Sequence, residues 1–165
     1  MTLSPMPLDP GTMRSALSGF ATGVTVVTCR TATGDAVGLT VSSFNALSLE
    51  PPLVLWSLRL ASPSLAAFDA ARHFAVNVLA EAQVELSRRF ASAREDKFDD
   101  GAWSDGIGGA PLLAGCAASF ECERLSSRTE GDHCLFVGRV LSATAQAVPP
   151  LVYHGGRYHL LGEIL

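Results

Sequence analysis

Four short stretches of this chain hold the side chains best placed to do chemistry. The first is VGLTVSSFNALS, residues 37–48. Alternate side chains of a strand share a face, so Val37, Leu39 and Val41 point one way and Gly38, Thr40 and Ser42 the other. Ser42, Ser43 and Asn45 fall where that strand ends. Hydroxyls, an amide and freed backbone N–H groups there can hold a phosphate or the carbonyl edge of a heterocycle without a formal charge. The same residues would also serve as an ordinary strand-end cap. The second stretch is RLASPS, residues 59–64. Ser62 at a helix N-cap and Pro63 in the first turn would leave N–H groups free for an anion, with Arg59 as a charged donor. The plainer reading is a capped helix beside a solvated arginine.

The third is Asn77, alone in the apolar run HFAVNVL. A buried amide needs partners, either a ligand or neighbouring backbone. The fourth is Gly131-Asp132-His133, just before a strand. A histidine at such a junction can reach a carboxamide, a phosphate or developing negative charge, or can simply occupy a surface turn. His154 and His159 flank a Gly155-Gly156 turn as possible cross-strand neighbours, and His73 reads as a surface residue. Two histidines without a third ligand make a poor metal site, so no metal is expected. Cys29, Cys116, Cys122 and Cys134 form no C-x-x-C pair or Cys/His cluster and read as reduced, buried thiols of a cytoplasmic protein. A Rossmann G-x-G-x-x-G, a P-loop, a G-x-S-x-G elbow and an H-E-x-x-H are all missing.

These stretches must be positioned by short elements. Asp9 caps a first helix, Pro10 suits its first turn, Met13, Leu17 and Phe20 share a face, and Gly23 can end it. Strands are predicted over residues 24–29 and 36 to about 45, joined by a turn at 31–35. Pro51 and Pro52 interrupt the sheet pattern before a strand at 53–58. A helix starts at Ser62-Pro63 and continues through Leu65, Phe68 and Ala71 or Arg72. A strand follows at 73–79 and a helix at 81–91, with Leu86 and Phe90 on its buried side. Residues 92–115 read as a polar, glycine-rich loop, 116–125 as a strand, 126–132 as a connection and 133–145 as a long strand. A hairpin, 151–154 with 157–161 around Gly155-Gly156, closes the pattern. Strands that follow one another directly favour antiparallel pairing and a barrel with peripheral helices.

The 165 residues suit one domain, 1–165, with a barrel core about 13–161. Hydrophobic residues make up 48% and charged residues 17%, so part of the surface is expected to be hidden in a homodimer. No apolar run approaches the ~18 residues of a membrane span. The opening MTLSPMPLDPG lacks the pattern of a secretory leader. The net charge of −4, without a basic stripe, argues against nucleic-acid binding.

Taken in order, GFATGVTVVT (19–28), VGLTVSSFNALSLEPPLVLWSL (37–58), HFAVNVLAEAQ (73–83), SRRFA (87–91), DKF (96–98), GDH (131–133) and PLVYHGGRYHLL (150–161) resemble the flavin reductase family, the small reductase components of two-component flavin-dependent monooxygenases. The resemblance implies an FMN-binding split β-barrel, mainly β with peripheral helices and antiparallel Greek-key-like strands. It implies a homodimer with flavin near the subunit interface, NADH or NADPH as hydride donor, FMN or FAD as acceptor, and a separate, transiently met monooxygenase. By position it places flavin contacts at Thr40, Val41, Ser42, Ser43, Asn45 and Ala46, and a phosphate-side wall at Ser57, Leu58, Ser62 and Ser64. Asn77 and Phe98 are further cofactor candidates, and Arg89 and Phe90 could approach the cofactor. His133 would contact the nicotinamide as the catalytic candidate. The competing readings are a flavin-binding carrier or sensor that does not turn over, and a related split-barrel oxidase acting on a pyridoxamine phosphate.

Overall fold

The computed structural model describes residues 7–165. Met1 to Met6, read above as part of an opening without a leader pattern, lie outside the described residues. Seven antiparallel strands form the main sheet: β2 (Thr25–Arg30), β3 (Ala36–Val41), β4 (Asn45–Leu49), β5 (Pro52–Arg59), β6 (His73–Val78), β9 (Ala118–Glu130) and β10 (His133–Ala145). Their spatial order is β3-β2-β6-β9-β10-β5-β4. The strands β3 and β4 follow each other in the chain, yet they are the two opposite edges. The sheet therefore curls until its edges approach, and residues 42–44 cross the gap. This is a split barrel rather than a closed one. A small sheet joins β1 (Thr22–Gly23) to the hairpin β11 (Val152–His154) and β12 (Arg157–His159), and a two-stranded ribbon pairs β7 (Trp103–Asp105) with β8 (Pro111–Leu113).

Residue alternation decides what lies inside. Val27 and Cys29 of β2, Val54, Trp56 and Leu58 of β5, and Cys134 and Phe136 of β10 are all buried in one core. Trp56 stacks on Phe136 with ring centroids 4.5 Å apart and meets Phe68 edge-on at 4.9 Å. The other face of β2 is covered too: Val24 and Val26 pack with Leu79, Phe90 and Leu113 in a second cluster. That cover comes from α3 (Val84–Ala91), which extends a 3-10 turn at Glu81–Gln83, and from the β7–β8 ribbon. Both faces of β2 are thus apolar, which is why it reads as VTVVTC instead of an alternating strand.

The first helix, α1 (Pro10–Ser18), has the expected cap: the Asp9 carboxylate accepts from Thr12 N at 2.9 Å. It ends at Gly19 rather than Gly23, and Met13, Leu17 and Phe20 are exposed in the single chain. The strand expected to run to Asn45 stops at Val41, because the chain leaves one sheet edge for the other. The proline pair does not interrupt the sheet, since Leu49 and Pro52 close a tight β4–β5 turn. The helix expected to start at Ser62 begins at Leu65 and ends at Ala70, short of Arg72 (α2, Leu65–Ala70). Residues 62–65 form a turn instead, closed by Leu65 N to the Ser62 carbonyl at 3.1 Å. The loop predicted over 92–115 contains the β7–β8 ribbon, and the connection predicted over 126–132 is strand up to Glu130. There the turn shrinks to Gly131-Asp132, with Gly131 at φ 60°, a conformation that favours glycine.

Asn77 resolves its open alternative in favour of the backbone. Its side chain is fully buried, donates to the carbonyls of Val26 (3.1 Å) and Pro111 (3.3 Å), and accepts from Leu113 N (2.8 Å). One amide thus rivets the ribbon to the outside of the barrel. The four cysteines are free and buried. Burial pushes the thiols of Cys29, Cys116 and Cys122 up to about 12, so they stay protonated and inert at neutral pH. Replacing Asn77 by Ala would leave Leu113 N without its partner and take one donor from the Pro111 carbonyl, which Thr28 Oγ1 still holds at 2.6 Å, and we expect Asn77→Ala to cost about 2 kcal/mol in urea unfolding. A change below about 1 kcal/mol would show that the rivet is dispensable.

Candidate functional site

A cavity of about 550 Å³ opens at the split. Strand β3 brings Thr40 and Val41 to it, the crossing segment brings Ser42 and Ser43, β5 brings Ser57, Leu58 and Arg59, the following turn brings Ser62, and β10 brings His133. Nine residues singled out in the sequence therefore converge from five segments. Its size suits a drug- or cofactor-sized ligand.

The five hydroxyls are not equivalent. Thr40 Oγ1 donates to the Ser87 carbonyl at 2.7 Å, tying β3 to α3. Ser43 Oγ donates to the Ser57 carbonyl at 2.9 Å and accepts from Ser57 N at 3.0 Å, so it completes the join between the crossing segment and β5. A hydroxyl has one proton to give, and in these two residues it is committed to the fold. Ser62 Oγ accepts from Ser64 N at 3.3 Å and keeps its proton. Ser42 is exposed, and Ser42 and Ser57 make no hydrogen bond through their hydroxyls among the described residues. Ser42, Ser57 and Ser62 are thus the three donors open to a ligand.

The β5–β10 register pairs His133 with Arg59 and Leu135 with Ser57, so these four side chains share the outer face of the sheet. His133 Nδ1 lies 2.7 Å from Asp132 Oδ1. The hydrogen bond from His133, followed by its charge, holds the Asp132 carboxyl below its usual range. A carboxylate only accepts, so the proton between the two groups sits on Nδ1, and Nε2 faces away from Asp132.

Seven expected contacts are not brought to this cavity. Asn45 and Ala46 have already turned into β4, where Asn45 Oδ1 accepts from Ala46 N at 2.9 Å. Ser64 takes the cap position of α2, and Asn77 is spent on the ribbon. Arg89 pairs with Asp100 and donates to the Asp96 carbonyl at 3.2 Å. Phe90 is buried, and Phe98 stacks on it edge-on at 5.0 Å. These two rings act from behind: a Cβ on Gly38 would come within 2.8 Å of Phe90 and 3.1 Å of Phe98. Glycine at 38 lets α3 press close to β3 and bring Ala91 into the cavity wall. Sequence reasoning did not assign Ala91 or Ala61 to the site. Small apolar residues carry no chemical signal.

The fold is a mainly antiparallel split barrel with a hydroxyl-lined cavity at its seam, and comparison with known proteins gives its family. Residues 17–162 match the family described as "Flavin reductase like domain", and the chain belongs to that family. It is 45% identical over 145 residues to the FMN reductase (NADH) SmoA of Agrobacterium fabrum, covering 88% of this chain and 82% of that one. It is 42% identical over 155 residues to the flavin-dependent monooxygenase reductase subunit HsaB of Mycobacterium tuberculosis, covering 92% and 82%. The structure of the Streptomyces globisporus NADH:FAD oxidoreductase SgcE6 in complex with NAD and FAD fragments superposes with a TM-score of 0.88 at 36% identity, over 96% of this chain and 98% of that one. Against some longer relatives the chain spans about half their length, 48% for one from Rhizobium meliloti.

The division of the hydroxyls separates two adjacent serines. Ser43→Ala should lower the melting temperature by several degrees, because it removes two part-buried hydrogen bonds worth about 1 kcal/mol each. Ser42→Ala should leave the melting temperature within about a degree and weaken flavin binding several-fold. Paired thermal melts and flavin titrations check this, and equal melting temperatures would contradict the assignment.

Proposed function

We propose that this chain is an NAD(P)H:flavin oxidoreductase that passes a hydride from a reduced nicotinamide dinucleotide to FMN or FAD and supplies the reduced flavin to a separate monooxygenase. The observation that carries this reading is the convergence of the T-V-S-S, S-L-R-L-A-S and G-D-H segments on one cavity. Its support from relatives is their naming as NADH-dependent flavin reductases and as monooxygenase reductase subunits.

The residues present fit a flavin. Three free hydroxyl donors can meet the polar edge of a heterocycle, while Val41, Leu58 and Ala91 offer it apolar surface. Bound flavin would supply the hydride-accepting ring; the chain supplies position and electrostatics. Ser42 and Ser57 would donate to ring carbonyls and favour the reduced, more negative state. His133, fixed by Asp132, would present Nε2 to the amide N–H of a nicotinamide carboxamide. That role orients the donor and asks no proton of the histidine. A nucleophile is not needed, which agrees with four thiols that are buried and protonated.

The working protein is read as one domain over residues 1–165, as a homodimer and as cytoplasmic. Support for the dimer comes from large apolar side chains left in solvent by the single chain, among them Phe20 at 70% and Leu49 at 93% exposure. Support for the location is the absence, among the described residues, of a helix long and apolar enough to cross a membrane, together with the free thiols.

The test is direct. Purified protein with NADH and excess FMN or FAD should consume NADH at a rate that rises with added flavin. Flavin bound tightly without turnover would point to a carrier. His133→Ala should raise the KM for the nicotinamide substrate about tenfold and change the flavin Kd less than threefold, consistent with one lost polar contact. Unchanged kinetics would remove His133 from the site.

A further inference from the structure

The terminal hairpin supplies no residue to the lining of the seam cavity, yet it is wired to the wall of that cavity. Tyr158 of β12 holds its hydroxyl 2.8 Å from Ser87 Oγ. Ser87 is fully buried in the middle of α3, and its carbonyl accepts from Thr40 Oγ1 at 2.7 Å. Thr40 in turn lines the cavity. A serine inside a helix usually turns its hydroxyl back onto the preceding turn or out to water. Ser87 does neither, and among the described residues Tyr158 is the one partner of that hydroxyl.

Tyr158 has the support an anchor needs. Its ring packs on the cluster that holds Val24, Val26, Leu79 and Phe90, and the Arg88 guanidinium lies over it, 5.7 Å from the centroid. The hairpin is fixed at its base, where Leu151 N donates to the Leu79 carbonyl at 2.8 Å, and at its tip, where Gly155 N donates to the Ser18 carbonyl at 3.0 Å. Tyr158 also borders a second cleft, of about 200 Å³, with Tyr153, Val24 and Ser87. Thr40, Val41, Ser42 and Ala91 line both that cleft and the seam cavity. The wall between them thus has open space on two sides, and β3 is an edge strand. Sparse packing leaves such an element free to shift unless a bond holds it.

We infer that Tyr158 is a positioning residue for the flavin site: through Ser87 and Thr40 its hydroxyl fixes the end of β3 relative to Ala91, the wall against which the flavin ring lies. The inference rests on the flavin reading above. Tyr158 touches no reacting atom. A wall left loose must be ordered when the ligand binds, and that ordering weakens binding.

The test is FMN titration of the full chain by fluorescence quenching, at a temperature where thermal melts show each variant folded. Tyr158→Phe keeps the ring and its packing and removes the hydroxyl. It should raise the FMN Kd about fivefold, equivalent to one lost hydrogen bond. Ser87→Ala breaks the same bond from the helix side with a good helix former; it should give a similar rise, and it stands in should Tyr158→Phe fail to fold. Thr40→Val cuts the chain of bonds at the wall. Adding Tyr158→Phe to Thr40→Val should raise the Kd less than about twofold further, because residues acting in series do not add. A merely structural tyrosine would lower the melting temperature and leave the FMN Kd unmoved in Tyr158→Phe and Ser87→Ala, which would overturn the inference and leave the flavin reading standing. A full rise of about fivefold on the Thr40→Val background would also overturn it, since the effect would not pass through Thr40. Failure of FMN to bind the wild type would overturn both.

Discussion

The site depends on how the sheet deals with its two free edges. Strands β3 and β4 are consecutive in the chain but lie at opposite ends of the strand order, so three residues must bridge the seam of the barrel. Ser43 makes this bridge hold by donating to and accepting from the backbone of Ser57. Phe44 anchors the far side against Phe120, with ring centroids 5.4 Å apart. The bridge holds β3 beside the end of β5, and the cavity lies between β3 and the β5–β10 pair. Its hydroxyls sit at the rim because the strand ends there and the chain must satisfy or expose its polar groups.

The remaining walls follow from packing behind the sheet. Gly38 admits Phe90 and Phe98 to the back of β3, which draws α3 in until the Thr40 hydroxyl reaches the Ser87 carbonyl. Ser87 Oγ in turn lies 2.8 Å from the Tyr158 hydroxyl, linking α3 to the terminal hairpin. The opposite wall comes from the antiparallel β5–β10 register, which sets Arg59 beside His133 and Ser57 beside Leu135. Apolar burial on both faces of β2 thus fixes the distances at which a few hydroxyls and one cationic corner face each other.

Much of this was legible in the sequence. The strand alternation at Val37, Leu39 and Val41, the Asp9 cap and the Gly155-Gly156 hairpin are local signals, and each is present in the structure. Motif residues Thr40, Val41, Ser42, Ser43, Ser57, Leu58 and His133 meet at the cavity, joined by Arg59 and Ser62 of the RLASPS stretch. The misses are non-local. Nothing near Asn77 says that its partners lie more than thirty residues away on the ribbon, and nothing near Phe90 says that it packs behind Gly38. The ribbon itself was read as loop because its strands are only three residues long and sit among glycines. The shift of the second helix start from Ser62 to Leu65 also has a tertiary cause: Leu60 is held by the Asp132 carbonyl, and the chain must turn before it can wind. Free and committed hydroxyls look identical in a sequence; only the partners of Thr40 and Ser43 distinguish them.

The most direct measurement is a crystal structure of the protein with FMN. The isoalloxazine should lie at the seam, within about 4 Å of residues 40–43 on one side and 57–58 on the other. A flavin found elsewhere, for example in the smaller cavity lined by Arg30, Phe98 and Trp103, would contradict the claim that the unpaired seam of the barrel is the binding site.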